Sequence, residues 1–242
     1  GYGVIIPGVF MLPEYLAPIF KMQNIAVLIG ISALCAIVPF LCLEAMHGTG
    51  HKAVERSHAS FCAYYCSVVP FRRNEQTGAP IPVAKGELLR RTNQVGFKFM
   101  LTVALFSALR PYHYSPFPSP RNGESFIHLT TMFHWGHLLN NFLVAAATSV
   151  ELDFGSSAVG LLVSSATGLS TIEVFRSPLT RSTSPSDFWG HRWNLMIQRN
   201  IKRGVYMPLR RILLSTYMAG MAAFLVSGLL HEIILNVVSL RA

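Results

Sequence analysis

The chain has 242 residues, of which 51% are hydrophobic and only 13% charged. Soluble domains carry about 25% charged residues, so this composition argues against a soluble single domain. Twenty Lys and Arg stand against eleven Asp and Glu, a net charge of +9. Zinc-finger spacing, an RNA-binding sheet signature and a phosphate-cradling glycine loop are all missing, which removes nucleic acid as the expected partner. Basic loops facing anionic lipid headgroups account for the charge instead.

The apolar runs are continuous and do not alternate, so helices are predicted in preference to a membrane barrel. Val4 to Phe20 is apolar but broken by Pro7, Pro13 and Pro18, which fits an interfacial or kinked first span. Ile25 to Leu43 is the clearest spanning segment, nineteen residues without a charge, close to the ~20 that cross a hydrocarbon core. Pro39 is expected to kink its far end. His47 to Ser60 is polar and basic; Ser60 to Phe71 is apolar but too short to span. Arg72 to Pro82 is a loop, punctuated by Gly78, Pro80 and Pro82.

Lys85 to Lys98 is polar and basic, and a membrane segment is expected over Phe99 to Leu109. Tyr112 to Gly123, dense in Pro, Ser and Tyr, is a loop. Phe126 to Val150 has a helical pattern carrying His128, His134, His137, Asn140 and Asn141. Phe154 to Val174 is a span rich in small residues, which allow close helix packing, with Glu173 near its end. Arg176 to Arg211 is a basic amphipathic loop region with eight Arg or Lys against the single acid Asp187, expected on the cytoplasmic or stromal side. Ile212 to Leu240 is apolar except for His231, Glu232 and Asn236. Five to seven membrane segments follow, in one membrane domain: upstream spans over 1–174 and a motif region over 175–242.

Cys35, Cys42, Cys62 and Cys66 form no C-x-x-C pair, so four reduced thiols are expected and no disulfide framework. His134 and His137, spaced i, i+3, would share a helix face. They lack a third ligand in sequence, so packing or interhelical hydrogen bonds are preferred to a metal site. Asn140 and Asn141 are expected to bond across helices. No metal site is assigned.

Two segments carry chemistry. In Ser227-Gly228-Leu229-Leu230-His231-Glu232 a titratable pair lies inside an apolar run. Such residues are costly in a membrane and mark a cavity, a partner or a reaction. A neutral imidazole, with its reference pKa of about 6.5, suits proton abstraction from an alcohol; the alternative is a helix end meeting water. In Asp187-Phe188-Trp189-Gly190-His191-Arg192-Trp193-Asn194, Asp187 is expected to cap a helix starting near Phe188, with Asn194 two turns in. Taken alone, this segment reads as an interfacial aromatic helix. The basic run Arg199, Lys202, Arg203, Arg210 and Arg211 is a cytoplasmic anchor or a phosphate contact.

Phe-Trp-Gly-x-Arg-Trp-Asn, followed some thirty-five residues later by Ser-Gly-x-x-His-Glu in an apolar helix, resembles the paired signature of the membrane-bound O-acyltransferases. Within them the form here looks most like plant and algal wax synthases and the related sterol acyltransferases. The resemblance covers Ser177 to Glu232. It implies an all-α, multi-spanning helical membrane protein with an acyltransferase-like core. The implied activity is transfer of a fatty acyl group from acyl-CoA to a long-chain or sterol alcohol. The catalytic residues carried over are His231 and Asn194; Trp189, Arg192, Trp193, Arg199, Lys202 and Arg203 are assigned to substrate binding. Acyl-CoA serves as co-substrate, with no cofactor. The partners are the lipophilic alcohol and membrane lipids, in the endoplasmic reticulum membrane or, alternatively, a plastid membrane.

Two departures stand out. His191 occupies a position where plant members commonly have Arg. The family usually continues through further spans after the position of Ala242, so either a C-terminal part lies beyond this chain or the core is shortened. The rival reading is a non-catalytic acyltransferase-like scaffold, a subunit of a larger membrane complex that binds pigment or lipid.

Overall fold

The computed structural model describes the chain apart from residues 1–2, 21–24, 51, 53, 55–57, 66, 68, 119–132, 214 and 240–242. Cys66 and His128 therefore lie outside the described residues. The principal helices are α1 (Ile5–Ile19), α2 (Ile25–Met46), α3 (His58–Tyr65), α4 (Glu87–Leu109), α5 (Trp135–Thr167), α6 (Leu195–Ile201), α7 (Met207–Leu213) and α8 (Thr216–Ser239). Among the described residues there is no β-strand element, only an isolated bridge between Pro82 and Leu169. The all-α class is as expected.

Two helices among the described residues are long and apolar enough to cross a membrane, Trp135–Thr167 and Thr216–Ile233. Only 11% of each spanning window is buried within the chain, whereas the core helix of a soluble protein would be enclosed. On α8, Phe224, Leu225 and Leu229 are 60–73% exposed, an apolar surface that water disfavours and lipid does not.

The chain divides into two compact units: residues 1–79 with 194–242, and residues 80–193. In the first, α1 packs on α2, and α2 packs on α6, α8 and the π-helical turn Lys202–Tyr206. Phe40, Ile201, Val205 and Leu230 form its apolar core, with Leu43, Ile197, Leu209, Ala223 and Val226 against it. Each fully buried large side chain contributes about 1.5–3 kcal/mol. The π turn approaches α2 closely at Gly204, where a Cβ would lie 3.0 Å from the Phe40 carbonyl oxygen. Any side chain there would push the two elements apart. The Thr49 hydroxyl ties the turn down by donating to the Arg203 carbonyl at 2.6 Å.

In the second unit α4 lies along α5. A polar seam joins them: Lys98 Nζ donates to Asp153 at 2.7 Å and to Ser157 at 2.9 Å. The Arg91 guanidinium pairs with Glu87 at 2.6 Å and donates to Thr171, Ser170 and Ser164. Gly160 and Ser164 are buried on α5, and a Cβ on Gly160 would meet Thr171 Oγ1 at 3.1 Å. The small residues thus admit a close neighbour, as the composition of this segment leads one to expect.

Several sequence boundaries need correction. No breaker separates Lys85–Lys98 from Phe99–Leu109, and α4 is one helix of 23 residues that takes in most of both. The segments read as Phe126–Val150 and Phe154–Val174 contribute to one 33-residue helix, α5. Asp153 does not interrupt it, because its charge is answered by Lys98. The helix ends at Thr167 with Gly168 in the left-handed conformation, φ 69°, so Glu173 lies beyond it. Arg176–Arg211 is not a loop but a succession of short helices and π turns.

Candidate active site

The first motif folds as a compact knot within residues 80–193. Ser184, with Pro185 next to it, opens the turn: the Ser184 side chain accepts from the Asp187 amide at 3.1 Å. Ser184 is therefore the cap, in place of the expected Asp187. Asp187 instead accepts from Arg192 Nε at 2.7 Å and from the Thr183 amide at 3.2 Å. Those donors, Arg192 first, hold its carboxyl below the usual carboxylate range. Trp193 stacks on Phe188 at 5.3 Å and meets Phe175 edge-on at 5.2 Å. Arg192 and Trp193 are thus engaged in holding the segment together. Trp189 remains 51% exposed.

The helix does not run on to Asn194. Trp193 is extended and Asn194 is left-handed, with φ 39°. Asparagine tolerates that conformation better than most residues, so the chain breaks there and starts α6. The Asn194 side chain caps α6 by accepting from the Ile197 amide at 3.3 Å. Only the amide oxygen can accept, so Oδ1 faces the helix. The Nδ2 group then has no hydrogen-bond partner among the described residues and is available to an outside acceptor.

His231 sits on α8, one residue past the core residue Leu230. Consecutive helical residues point about 100° apart; Leu230 is 3% exposed, whereas His231 and Glu232 both lie on the surface of the chain. The His231 ring is fixed by its own helix: Nδ1 lies 2.7 Å from the Ser227 carbonyl oxygen, one turn back. A carbonyl only accepts, so Nδ1 carries the proton. In the neutral ring Nε2 then bears the lone pair, which is the arrangement a general base requires. The four-residue spacing of Ser227 and His231 in the motif is the spacing of this contact.

Asn194 and His231 belong to the same unit and flank its core, since Ile197 and Ile201 of α6 pack with Val226 and Leu230 of α8. The structure places no hydrogen bond between them. Arg199 and Arg203 are brought together on Tyr64: Arg199 Nη2 donates to its hydroxyl at 2.5 Å and Arg203 Nη1 at 2.6 Å. Lys202, between them in sequence, is exposed. Sequence reasoning missed Glu44, a fully buried carboxylate at the end of α2 that accepts from Tyr64 at 2.7 Å and from Arg203 at 3.1 Å. A lone acid closing an uncharged apolar run was the available signal.

The His134–His137 pair separates. His134 caps α5, its Nδ1 accepting from the Gly136 amide at 3.2 Å, while His137 pairs with Asn141 at 3.1 Å. Asn140 does not bond across helices; it holds both backbone groups of Phe117 at 3.0 Å. Among the described residues no three His, Cys, Asp or Glu converge as a metal site. Cys35, Cys42 and Cys62 are free thiols.

The exposed apolar helices suit a helical membrane protein, and its first unit carries the Asn194 amide and the His231 imidazole, each held by its own helix. The pattern of the Membrane bound O-acyl transferase family matches residues 172–241. The chain is similar to the "Probable long-chain-alcohol O-fatty-acyltransferase 6" of Arabidopsis thaliana, 34% identical over 163 residues, 64% of this chain and 42% of the relative. It is also similar to the "Long-chain-alcohol O-fatty-acyltransferase" of Simmondsia chinensis, 39% identical over 90 residues, 34% of this chain and 25% of the relative. The chain thus spans less than half the length of these relatives. No solved structure matches it.

Proposed function

We propose that this chain is the catalytic part of a wax-synthase-like acyltransferase, which moves a fatty acyl group from acyl-CoA to a long-chain or sterol alcohol. The observation that carries this reading is the His231–Ser227 contact, which leaves Nε2 as the proton acceptor on the motif helix. His231 Nε2 takes the proton of the alcohol as its oxygen attacks the thioester carbonyl. Asn194 Nδ2 donates to the oxygen that becomes negative, a role in which one donor is worth about 2.7–4 kcal/mol. As the tetrahedral species collapses, the C–S bond breaks and the thiolate leaves, recovering the proton from the imidazolium. The products are an ester and free coenzyme A.

The reaction so written consumes only the two substrates and calls for no metal or organic cofactor. Arg199, Lys202 and Arg203 lie on the side of the thioester donor. Arg192 and Trp193 hold the shape of their own motif, within residues 80–193. The endoplasmic reticulum membrane is the proposed compartment, with the basic segment facing the cytoplasm.

The test is ester synthesis from labelled acyl-CoA and a panel of long-chain and sterol alcohols, in a host lacking its own ester synthases. Labelled ester that disappears in His231→Gln supports the reading. No ester with any alcohol, together with copurification in a large membrane assembly, would establish the scaffold instead.

A further inference from the structure

Three guanidiniums gather on one phenol. The Arg73 and Arg199 carbon centres sit 5.3 and 5.2 Å from the Tyr64 ring centroid, and Arg199 and Arg203 both donate to its hydroxyl. A ring face attracts a cation, but it does not neutralise one. The single anion in the group is Glu44, whose Oε1 is already shared by Tyr64 and Arg203. Burial holds the Tyr64 phenol above its ordinary value, so it adds no second negative charge at neutral pH. The cluster therefore carries three positive charges against one. Arg73 pays for this arrangement twice: burial first, and the neighbouring Arg199 as well, push its guanidinium downward from the usual arginine value.

The unanswered donors lie on Arg73 and Arg199. Arg73 gives one nitrogen, Nη1, to the Gly78 carbonyl at 2.9 Å, which fixes it on the loop that Asn74 closes with Ala79 and Gly78. Arg199 gives one nitrogen to Tyr64. The remaining N–H groups of both have no hydrogen-bond partner among the described residues. Two guanidiniums held on a ring with donors left over are the arrangement that takes oxygen pairs from phosphate.

We propose that Arg73 and Arg199, seated on Tyr64 and braced by the Glu44–Arg203 pair, form a binding site for a phosphate ester or diphosphate. The phosphate can come from a soluble nucleotide-type donor or from a lipid headgroup. The site stands on geometry in residues 1–79 and 194–242 and does not depend on His231 chemistry.

The experiment uses the full chain in detergent or nanodiscs. Adenosine 3′,5′-bisphosphate probes the soluble source and phosphatidate the lipid source, with adenosine and phosphatidylcholine as controls. Arg73→Ala should weaken binding of the effective probe by about tenfold or more, the worth of a charge-assisted hydrogen bond, and Arg73→Lys should recover part of it. In the parent, the same probe should shield Arg73 from phenylglyoxal, read by mass spectrometry, which needs no variant to fold. Protection by the bisphosphate assigns a soluble donor; protection by phosphatidate alone assigns a headgroup. Protection by neither overturns the site, as does full affinity in Arg73→Ala. Binding should survive in His231→Gln, so failure of acyl transfer and failure of this site are separable.

Discussion

The Nδ1 of His231 lies 2.7 Å from the main-chain oxygen of Ser227, one helical turn back on α8. The contact is made by the backbone of Ser227, not by its hydroxyl. Two substitutions should therefore behave differently. His231→Gln keeps hydrogen-bonding ability but takes up no proton near neutral pH, so ester formation should fall by about 10²–10⁴-fold with detergent stability near parental. Ser227→Ala keeps the carbonyl and the helix and should stay within a few-fold of the parent. Initial rates of labelled ester formation decide both; a fully active His231→Gln would move the base elsewhere.

Asn194 performs two tasks with one amide, and they can be separated. Alanine is a poor probe, because it loses the cap, about 1 kcal/mol, and is strained in the left-handed conformation. Asn194→Asp keeps an acceptor for the Ile197 amide and tolerates the backbone, but it loses the Nδ2 donor. It should fold like the parent and lose about 10²–10³ in turnover. Thermal unfolding and ester synthesis measured on the same preparation test this. An active Asn194→Asp would leave Asn194 as a cap alone.

What was legible in the sequence follows from how local the responsible physics is. The helical class and the small-residue packing near Gly160 show within a few residues of chain, and the four-residue spacing of Ser227 and His231 is that of their contact. The Ser184 cap was also readable, since Pro185 at the first helical position marks the residue before it. The break at Trp193–Asn194 was not, because no Gly or Pro announces it and the left-handed turn rests on asparagine itself. The continuity of α5 through Asp153 depends on Lys98, 55 residues away. The burial of Glu44 depends on Arg203, 159 residues away. Neither pairing has a local trace.

The knot around Asp187 should be acid-sensitive. Its folded carboxyl titrates below the ordinary 3.8 because of Arg192 and the Thr183 amide. A depressed pKa contributes stability that is present above the unfolded value and lost as pH falls through the folded one. Trp189 and Trp193 fluorescence should thus stay constant from pH 8 to about pH 5 and change below about pH 4. Asp187→Asn should abolish that change. A parent profile that is flat to pH 2, or a variant that still shows the transition, would remove Asp187 from the account.

The Glu44 cluster should dominate the stability of the unit it sits in. Glu44 is fully buried, and its Oε2 has no hydrogen-bond partner among the described residues, so its environment is already demanding. Glu44→Ala removes the carboxylate paired with Arg203 and the acceptor of the Tyr64 hydroxyl. Breaking a buried pair from one side costs about 3–5 kcal/mol, and the lower end applies because the Arg203 side chain is 23% exposed. Tyr64→Phe keeps the ring under Arg73 and Arg199 and loses only the hydroxyl's bonds, so it should cost less, about 1–3 kcal/mol. Replacing both Glu44 and Arg203 by Met should restore part of the loss, since no unpaired charge then remains buried. Melting temperatures in one detergent should rank the proteins as parent, Tyr64→Phe, then Glu44→Ala, with the double variant above Glu44→Ala. If Glu44→Ala melted with the parent, the pair would be a surface contact of little consequence, and the brace assigned to the phosphate site would have to lie elsewhere.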